Sequence, residues 1–380
     1  MAVKELKIGV DAKSLCGTIT GIGRYTIEMC KALSTIPGVS LYLYSPSPIH
    51  EEIVKAIGPK HYRSGTINSK VVRQLWCDTS LPMWAKTDGV EVLWGPSHRL
   101  PRFIASHIVR VVTIHDLVWI YASQTMSTLT RFLERLHMPA AIKKADRIVA
   151  VSSATAKSIA ENYRSRANRV ATVLEGADHM TTTPDTTVLE SYNISGPYCL
   201  FVGTLEPRKN LANLLAAYAK LPQEVKEKCT LLVAGGKGWG DVNLAETIKK
   251  LELEAHVLLL GYVDEPTLAA LYSQARFLVM PSLYEGFGLP LVEAMTYGTP
   301  VLTSNNSSMI EVAGDAGILV DPLDLDSITQ GLLQLITDDK LHSKLSQNAT
   351  KHVAQFTWSR AAEQLTQVLH EAVAERKIAS

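Results

Sequence analysis

No stretch of the chain carries the roughly 18 to 20 consecutive apolar residues that a membrane-spanning helix requires. The opening run from Met1 to Ile8 passes directly into a strand-like pattern without the hydrophobic centre of a signal peptide. The expected compartment is therefore the cytoplasm. Cysteine is sparse: Cys16, Cys30, Cys77, Cys199 and Cys229 are scattered, odd in number and without a C-x-x-C pair. That spacing fits neither a disulfide framework nor a zinc site. Net charge is almost absent, with 38 basic against 37 acidic residues, and no global field is present to recruit nucleic acid.

A dinucleotide fingerprint is missing as well. Gly21-Ile22-Gly23 lies between a first strand, Leu6 to Asp11, and a helix carrying Ile27, Cys30, Ala32 and Leu33, where a phosphate loop belongs. Gly23 is followed, however, by Arg24, Tyr25 and Thr26 rather than the rest of G-x-G-x-x-G. The second strand, Leu41 to Tyr44, ends in Ser45-Pro46 without an acidic residue for an adenosine ribose, so NAD is not expected. Asp324-Leu325-Asp326 copies a D-x-D metal motif but sits in a turn before a helix, where capping explains it. No cluster of His, Cys or carboxylates has ligand spacing, and neither a metal nor a cofactor is expected.

What is present is a chain of 380 residues, 46% hydrophobic, with mean hydropathy +0.07. That length suggests two domains. Strand and helix signals alternate, which argues for an α/β protein with parallel sheets flanked by helices. A polar stretch from Thr181 to Pro197 reads as a linker, and a fresh alternation begins at Tyr198.

The chemistry concentrates after an apolar strand pattern ending near Ser282. There Glu285-Gly286-Phe287-Gly288-Leu289-Pro290 leads into a helical segment carrying Glu293. Proline suits the first helical position, and the amides of Gly286 to Leu289 would then project from a helix N-terminus that favours a phosphate. Glu293, one turn in, suits a ribose diol, and Glu285 suits whatever hangs from the far phosphate. Two solvated glutamates flanking a turn is the plainer alternative.

Arg208 and Lys209 precede a helix start, where positive charge opposes the dipole by about 0.3 to 1 kcal/mol. An anion docked between them would offset that cost; two exposed basic side chains are the alternative. Asn210 reads as the helix cap. His115-Asp116 follows the apolar run Ile108 to Ile114, at the carboxyl end of a strand where ligands of open α/β sheets bind; a histidine capped by Asp116 is the alternative. The segment from Val71 to Trp84 mixes Arg73, Trp76 and Trp84 with apolar residues. It reads as a core helix, or else as part of an acceptor cleft or a contact with a membrane surface. The mixed charges of Thr128 to Ala145, including Arg131, Glu134, Arg135, Lys143 and Lys144, read as a solvated face.

Glu285 and Glu293, with Gly-Phe-Gly-Leu-Pro between them, resemble the E-x7-E signature of the retaining family 4 glycosyltransferases of GT-B fold. Gly21-Ile22-Gly23-Arg24-Tyr25, Thr113-Ile114-His115-Asp116-Leu117 and Arg208-Lys209 resemble further family positions. The likeness covers essentially the whole chain. It implies two Rossmann-like, doubly wound parallel-sheet domains facing a central cleft: 1–190 on the acceptor side, 191–356 binding the nucleotide sugar, and a last helix, 357–380, returning to the first.

The resemblance further implies that Arg208 and Lys209 grip the donor diphosphate and that Gly21 and Gly23 approach it. By the same likeness Glu285 and His115 face the transferred sugar, Glu293 holds the ribose, and the backbone around Val263 meets the base. Arg73, Trp76 and His98 are the acceptor candidates. Glu175 departs from the family's usual Asn-Gly at this point, which puts a donor contact from that side chain in doubt. Among family members the chain looks most like bacterial mannosyltransferases of O-antigen or polysaccharide assembly. That implies GDP-mannose as donor, a glycan or lipid-linked glycan as acceptor, peripheral contact with the inner membrane surface, and no nucleic acid. Another GDP- or UDP-sugar, or an epimerase or phosphorylase on the same architecture, are the alternatives.

Overall fold

The computed structural model describes residues 5–67, 69–180, 183–192, 194, 196–236, 238 and 244–379. The described chain divides into two compact units. The first takes the residues up to Leu117, Phe132–Gly176 and the chain from Thr357 onward; the second takes Val118–Arg131 and Ala177–Phe356. The division expected at 190 thus falls at Gly176, and a short excursion, 118–131, joins the second unit. The expected linker is not a free tether in its described part. It contains a 3-10 turn, Thr186–Tyr192, which buries Leu189 and packs on the helix Glu265–Gln274 of the second unit. Thr181, Thr182, Asn193 and Ser195 of that stretch lie outside the described residues, as does Lys237 in the glycine-rich exit Gly235 to Gly238.

The first unit holds seven strands: β1 (Leu6–Asp11), β2 (Val39–Ser45), β3 (His61–Ser64), β4 (Val92–Gly95), β5 (Val109–Ile114), β6 (Arg147–Ala150) and β7 (Val170–Thr172). They form one parallel sheet in the order β3-β2-β1-β4-β5-β6-β7. The second unit holds β8 (Tyr198–Val202), β9 (Thr230–Ala234), β10 (Val257–Gly261), β11 (Phe277–Met280), β12 (Val301–Ser304) and β13 (Gly317–Val320). Their parallel order is β10-β9-β8-β11-β12-β13. Parallel strands require crossover helices on both faces, so central strands read as unbroken apolar runs. β8 and β11 are buried along their whole length. Each fully buried Leu, Val or Phe there contributes about 1.5 to 3 kcal/mol.

In each sheet the winding direction reverses once, between β1 and β4 and between β8 and β11. Such reversals leave a crevice beyond the carboxyl ends of the two strands, which is where open α/β sheets bind ligands.

Three local expectations change. The first helix runs Gly21–Ser34, with Arg24 N bonded to Thr20 O at 2.8 Å, so Gly21 and Gly23 are first-turn helical residues and not loop residues. A Cβ on Gly23 would lie 3.0 Å from Ser14 O, which explains the glycine by close backbone approach. Trp76 is excluded from an acceptor surface: on the helix Lys70–Asp78 its indole is buried in a core cluster that includes Tyr42, Tyr44, Leu81 and Leu93. Asn210 precedes the helix Leu211–Ala219 in the left-handed region (φ 62°) and makes no side-chain cap. Its amide instead donates to Pro281 O (2.9 Å) and Pro322 O (2.7 Å), tying the β8 exit to the β11 exit.

The last helix, Trp358–Ala379, packs on the helix Gly21–Ser34 of the first unit. Trp358 meets Tyr25 edge-on at 5.9 Å. No described helix is long and apolar enough to cross a membrane.

Candidate active site

The β8 exit ends in a 3-10 turn, Pro207–Lys209, and the β11 exit carries Glu285. These neighbouring exits bring opposite charges together. Arg208 Nη1 donates to Glu285 Oε2 at 2.5 Å and to Tyr284 O at 3.0 Å, and Lys209 Nζ donates to Glu285 Oε1 at 2.7 Å. Arg208 Nη2 donates in turn to Glu206 Oε1 at 2.5 Å. Lys209 and Glu285 are buried. Burial pushes the Glu285 carboxyl up, but the charges of Arg208 and Lys209 and their hydrogen bonds outweigh it and hold the pKa at about 2. Glu285 is therefore a carboxylate at any physiological pH, and the arrangement is two cations held beside two carboxylates at the sheet's switch point.

The surrounding backbone is built for this approach. Gly203 follows β8 at φ 152°, and a Cβ there would lie 3.2 Å from Lys209 Cε, so glycine leaves room for the lysine stem. Gly235, leaving β9, comes so close to Gly203 that an added Cβ would sit 1.9 Å from its carbonyl oxygen. Gly288, at φ 107°, caps the helix Leu289–Thr296, and Pro290 occupies its second position. The turn is held from the β12 exit: Ser307 Oγ accepts from Glu285 N (3.1 Å), and Ser308 Oγ lies within bonding distance of Glu285 O (3.1 Å) and Phe287 O (2.9 Å). The first-turn amides of the helix point out of its N-terminus, four residues along the chain from Glu285. Phe287 itself turns inward, edge-on to Phe356 at 5.8 Å, so it serves the turn through its backbone.

Glu293 lies one turn into that helix. Tyr272 OH donates to its Oε2 at 2.8 Å, and His179 Nε2 lies 3.3 Å from Oε1. Burial, then the Glu293 charge, pushes the Tyr272 phenol well up, which keeps it a donor. A carboxylate so held keeps further lone pairs for a diol. Val263 lies between β10 and the helix Glu265–Gln274, next to the exposed Tyr262.

In the first unit His115 leaves β5 and is held on every side. Its Nε2 faces Pro96 O at 2.8 Å, and because a carbonyl only accepts, this nitrogen donates. Its Nδ1 lies 3.3 Å from Glu175 Oε1, its amide donates to His98 Nε2 at 2.9 Å, and its carbonyl accepts from Thr155 Oγ1 at 3.1 Å. Tyr25, on the turn after Gly21 and Gly23, packs edge-on against the imidazole at 4.7 Å. Glu175, buried at the β7 exit, is the carboxylate on the Nδ1 side of the ring.

His98 sits at φ 62° with Nδ1 3.5 Å from Glu134 Oε2. Burial lowers the His98 pKa while Glu134 raises it, with a net rise, yet the His115 amide aimed at Nε2 fits a proton on Nδ1 alone. His98 thus braces His115 instead of offering itself to an acceptor. Arg73 is held by Ile67 O (3.2 Å) and Ser47 Oγ (3.3 Å).

Sequence reasoning set Glu175 aside as a departure and missed Glu206, His179, Tyr272, Ser307 and Ser308. Of those missed, only the last two left a signal, as a polar Asn-Asn-Ser-Ser turn directly after a strand. Among the described residues no group of three or more His, Cys, Asp or Glu is placed to hold a metal. Asp324 of the D-x-D look-alike accepts from Asp326 N at 2.9 Å and caps the helix Leu325–Thr337.

Two family models match in succession: Glycosyltransferase Family 4 over residues 19–180 and Glycosyl transferases group 1 over residues 190–352. The O-antigen chain mannosyltransferase B of Escherichia coli is 31% identical over 365 residues, covering 91% of this chain and 94% of that protein. Among solved structures, sucrose-phosphate synthase from Thermosynechococcus elongatus superposes with a TM-score of 0.77 at 20% identity, over 98% of this chain and 100% of that one. HepE of Anabaena, solved with UDP and glucose, gives 0.75 at 18% identity, over 97% and 100%. These structural likenesses speak to the fold, and the full-length relative to the family. The chain belongs to the family 4 glycosyltransferases and is a glycosyltransferase of GT-B fold.

Proposed function

We propose that this glycosyltransferase moves mannose from GDP-mannose, with retention of configuration and without a metal, to a hydroxyl of a growing glycan. The acceptor in this reading is a lipid-linked O-antigen or related polysaccharide precursor, reached from the cytoplasmic side of a membrane. The observation that carries it is the convergence of Arg208 and Lys209 on Glu285 beside a helix N-terminus at the β8/β11 reversal. Mannose and the O-antigen setting follow the Escherichia coli relative, which aligns along nearly the whole chain.

In this reading the bond between sugar C1 and the diphosphate oxygen breaks while the acceptor oxygen approaches C1 from the same face. The acceptor proton passes to an oxygen of the departing diphosphate. Negative charge grows on that group, and Arg208, Lys209 and the Gly286 to Leu289 amides stabilise it without reorganising. Glu285 keeps both cations in place, and its remaining lone pairs would take sugar hydroxyls. Glu293, fixed by Tyr272 and His179, takes the ribose diol.

The test is a panel of GDP- and UDP-sugars offered with a short mannoside acceptor in the presence of EDTA. Acceptor-dependent transfer from GDP-mannose with an α-linked product supports the reading. A β-linked product, or dependence on added metal, overturns its mechanism, and transfer only from another nucleotide sugar overturns its donor. Acceptor-free interconversion of the donor would mark an epimerase, and a requirement for phosphate would mark a phosphorylase.

A further inference from the structure

The helix Thr128–Lys144 has two faces from Phe132 onward. Met138, Ala141 and Ile142 are buried. At 100° per residue Phe132, Leu136 and Lys143 share the opposite side with Arg135 and Lys144 at its margins, and all five are exposed. Phe132 is 63% and Leu136 48% accessible. The only acid on this part of the helix, Glu134, turns toward His98.

The surface continues beyond the helix. Lys144 Nζ donates to Arg102 O at 2.8 Å, which brings in the loop bearing Arg102 and the exposed Phe103. Asp78 Oδ1 accepts from Arg102 N at 2.7 Å and links that loop to the end of the helix Lys70–Asp78. Exposed Leu75 lies on that helix and exposed Met83 on the next, Ser80–Thr87.

Aromatic and aliphatic side chains interleaved with arginine and lysine, and the nearby acids turned to internal partners, match the interface of an anionic bilayer. A second copy of the same face would set cations against cations. We propose that the Phe132 to Lys144 face and the Arg102-Phe103 loop form a docking surface for an anionic lipid bilayer. It builds on the lipid-linked acceptor reading for its purpose, while its contacts are independent of donor chemistry. The surface differs from the sequence-based expectation by centring on a helix read there as merely solvated.

Co-sedimentation with vesicles tests it. The full chain is expected to pellet with vesicles of phosphatidylcholine containing about a third phosphatidylglycerol, to stay in solution with phosphatidylcholine alone, and to be released by salt. Reversing two charges in R135E/K143E is expected to weaken binding about 50-fold or more, since each basic residue near the surface counts for roughly fivefold. F132S/L136S is expected to weaken it about tenfold, with F103S as the second apolar probe should the double variant not fold. Transfer to a water-soluble mannoside, measured on the same samples, is expected to be unchanged. Wild-type protein that ignores anionic vesicles, variants that bind as wild type does, or a dimer in light scattering that F132S/L136S dissolves would each overturn the proposal. Loss of soluble transfer with vesicle binding intact would count against the catalytic reading alone.

Discussion

At Glu285 two opposing effects of burial meet. Water is excluded, which disfavours charge, and the same exclusion strengthens the pull of Arg208 and Lys209, which wins. A carboxyl depressed from its ordinary 4.5 to about 2 contributes stability that is fully present above pH 4.5 and lost as pH falls toward 2. The size of that contribution is about 3 kcal/mol. Glu285→Gln is therefore expected to be less stable at neutral pH and to show a flatter decline between pH 4.5 and 2, measured by urea unfolding across that range. Parallel stability profiles for the two proteins would contradict the assignment. The glutamate was legible in the sequence through its place before a glycine turn. Its partners were legible only as two basic residues 76 and 77 positions earlier, because it is the parallel pairing of β8 with β11 that brings those exits together.

At the scale of elements, the Glu285 turn depends on its neighbour, the turn after β12. Ser308 is fully buried, and its hydroxyl lies at bonding distance from two carbonyls of the Glu285 turn. Ser308→Ala leaves those carbonyls poorly satisfied, at an expected cost of about 1 to 3 kcal/mol. Transfer is expected to fall more than donor binding, since the turn's geometry is what degrades. Unchanged turnover and melting temperature would show that the two turns are independent. Strands and their order of appearance could be read from apolar runs such as Tyr198 to Val202 and Phe277 to Met280. The start of the helix at Gly21 could not, because glycine-rich spacing there looks like a loop until Thr20 O meets Arg24 N. Glu175 was read as a departure from pattern, yet it is the group that holds His115. Its role lies in a contact across sixty residues that no local pattern encodes.

For the whole molecule, two parallel sheets, each with one reversal of winding, place the chemistry, and the chain's last helix completes the first of them. Trp358, Ala361, Ala362, Leu365 and Leu369 are buried there. The larger of these side chains contribute about 1.5 to 3 kcal/mol each, comparable together to the roughly 5 to 15 kcal/mol that stabilise a domain. A chain ending at Phe356 is expected to lose protease resistance in the first unit, and resistance equal to the full chain would contradict that. The central claim is that Arg208 and Lys209 bind and stabilise a diphosphate as its sugar leaves. Calorimetric titration of GDP into wild type, Arg208→Ala and Lys209→Ala, alongside GDP-mannose turnover by each, tests it most directly. The expected result is weakened GDP binding in both variants and transfer reduced about 10²-fold or more; wild-type GDP affinity with near-normal turnover in both would contradict it.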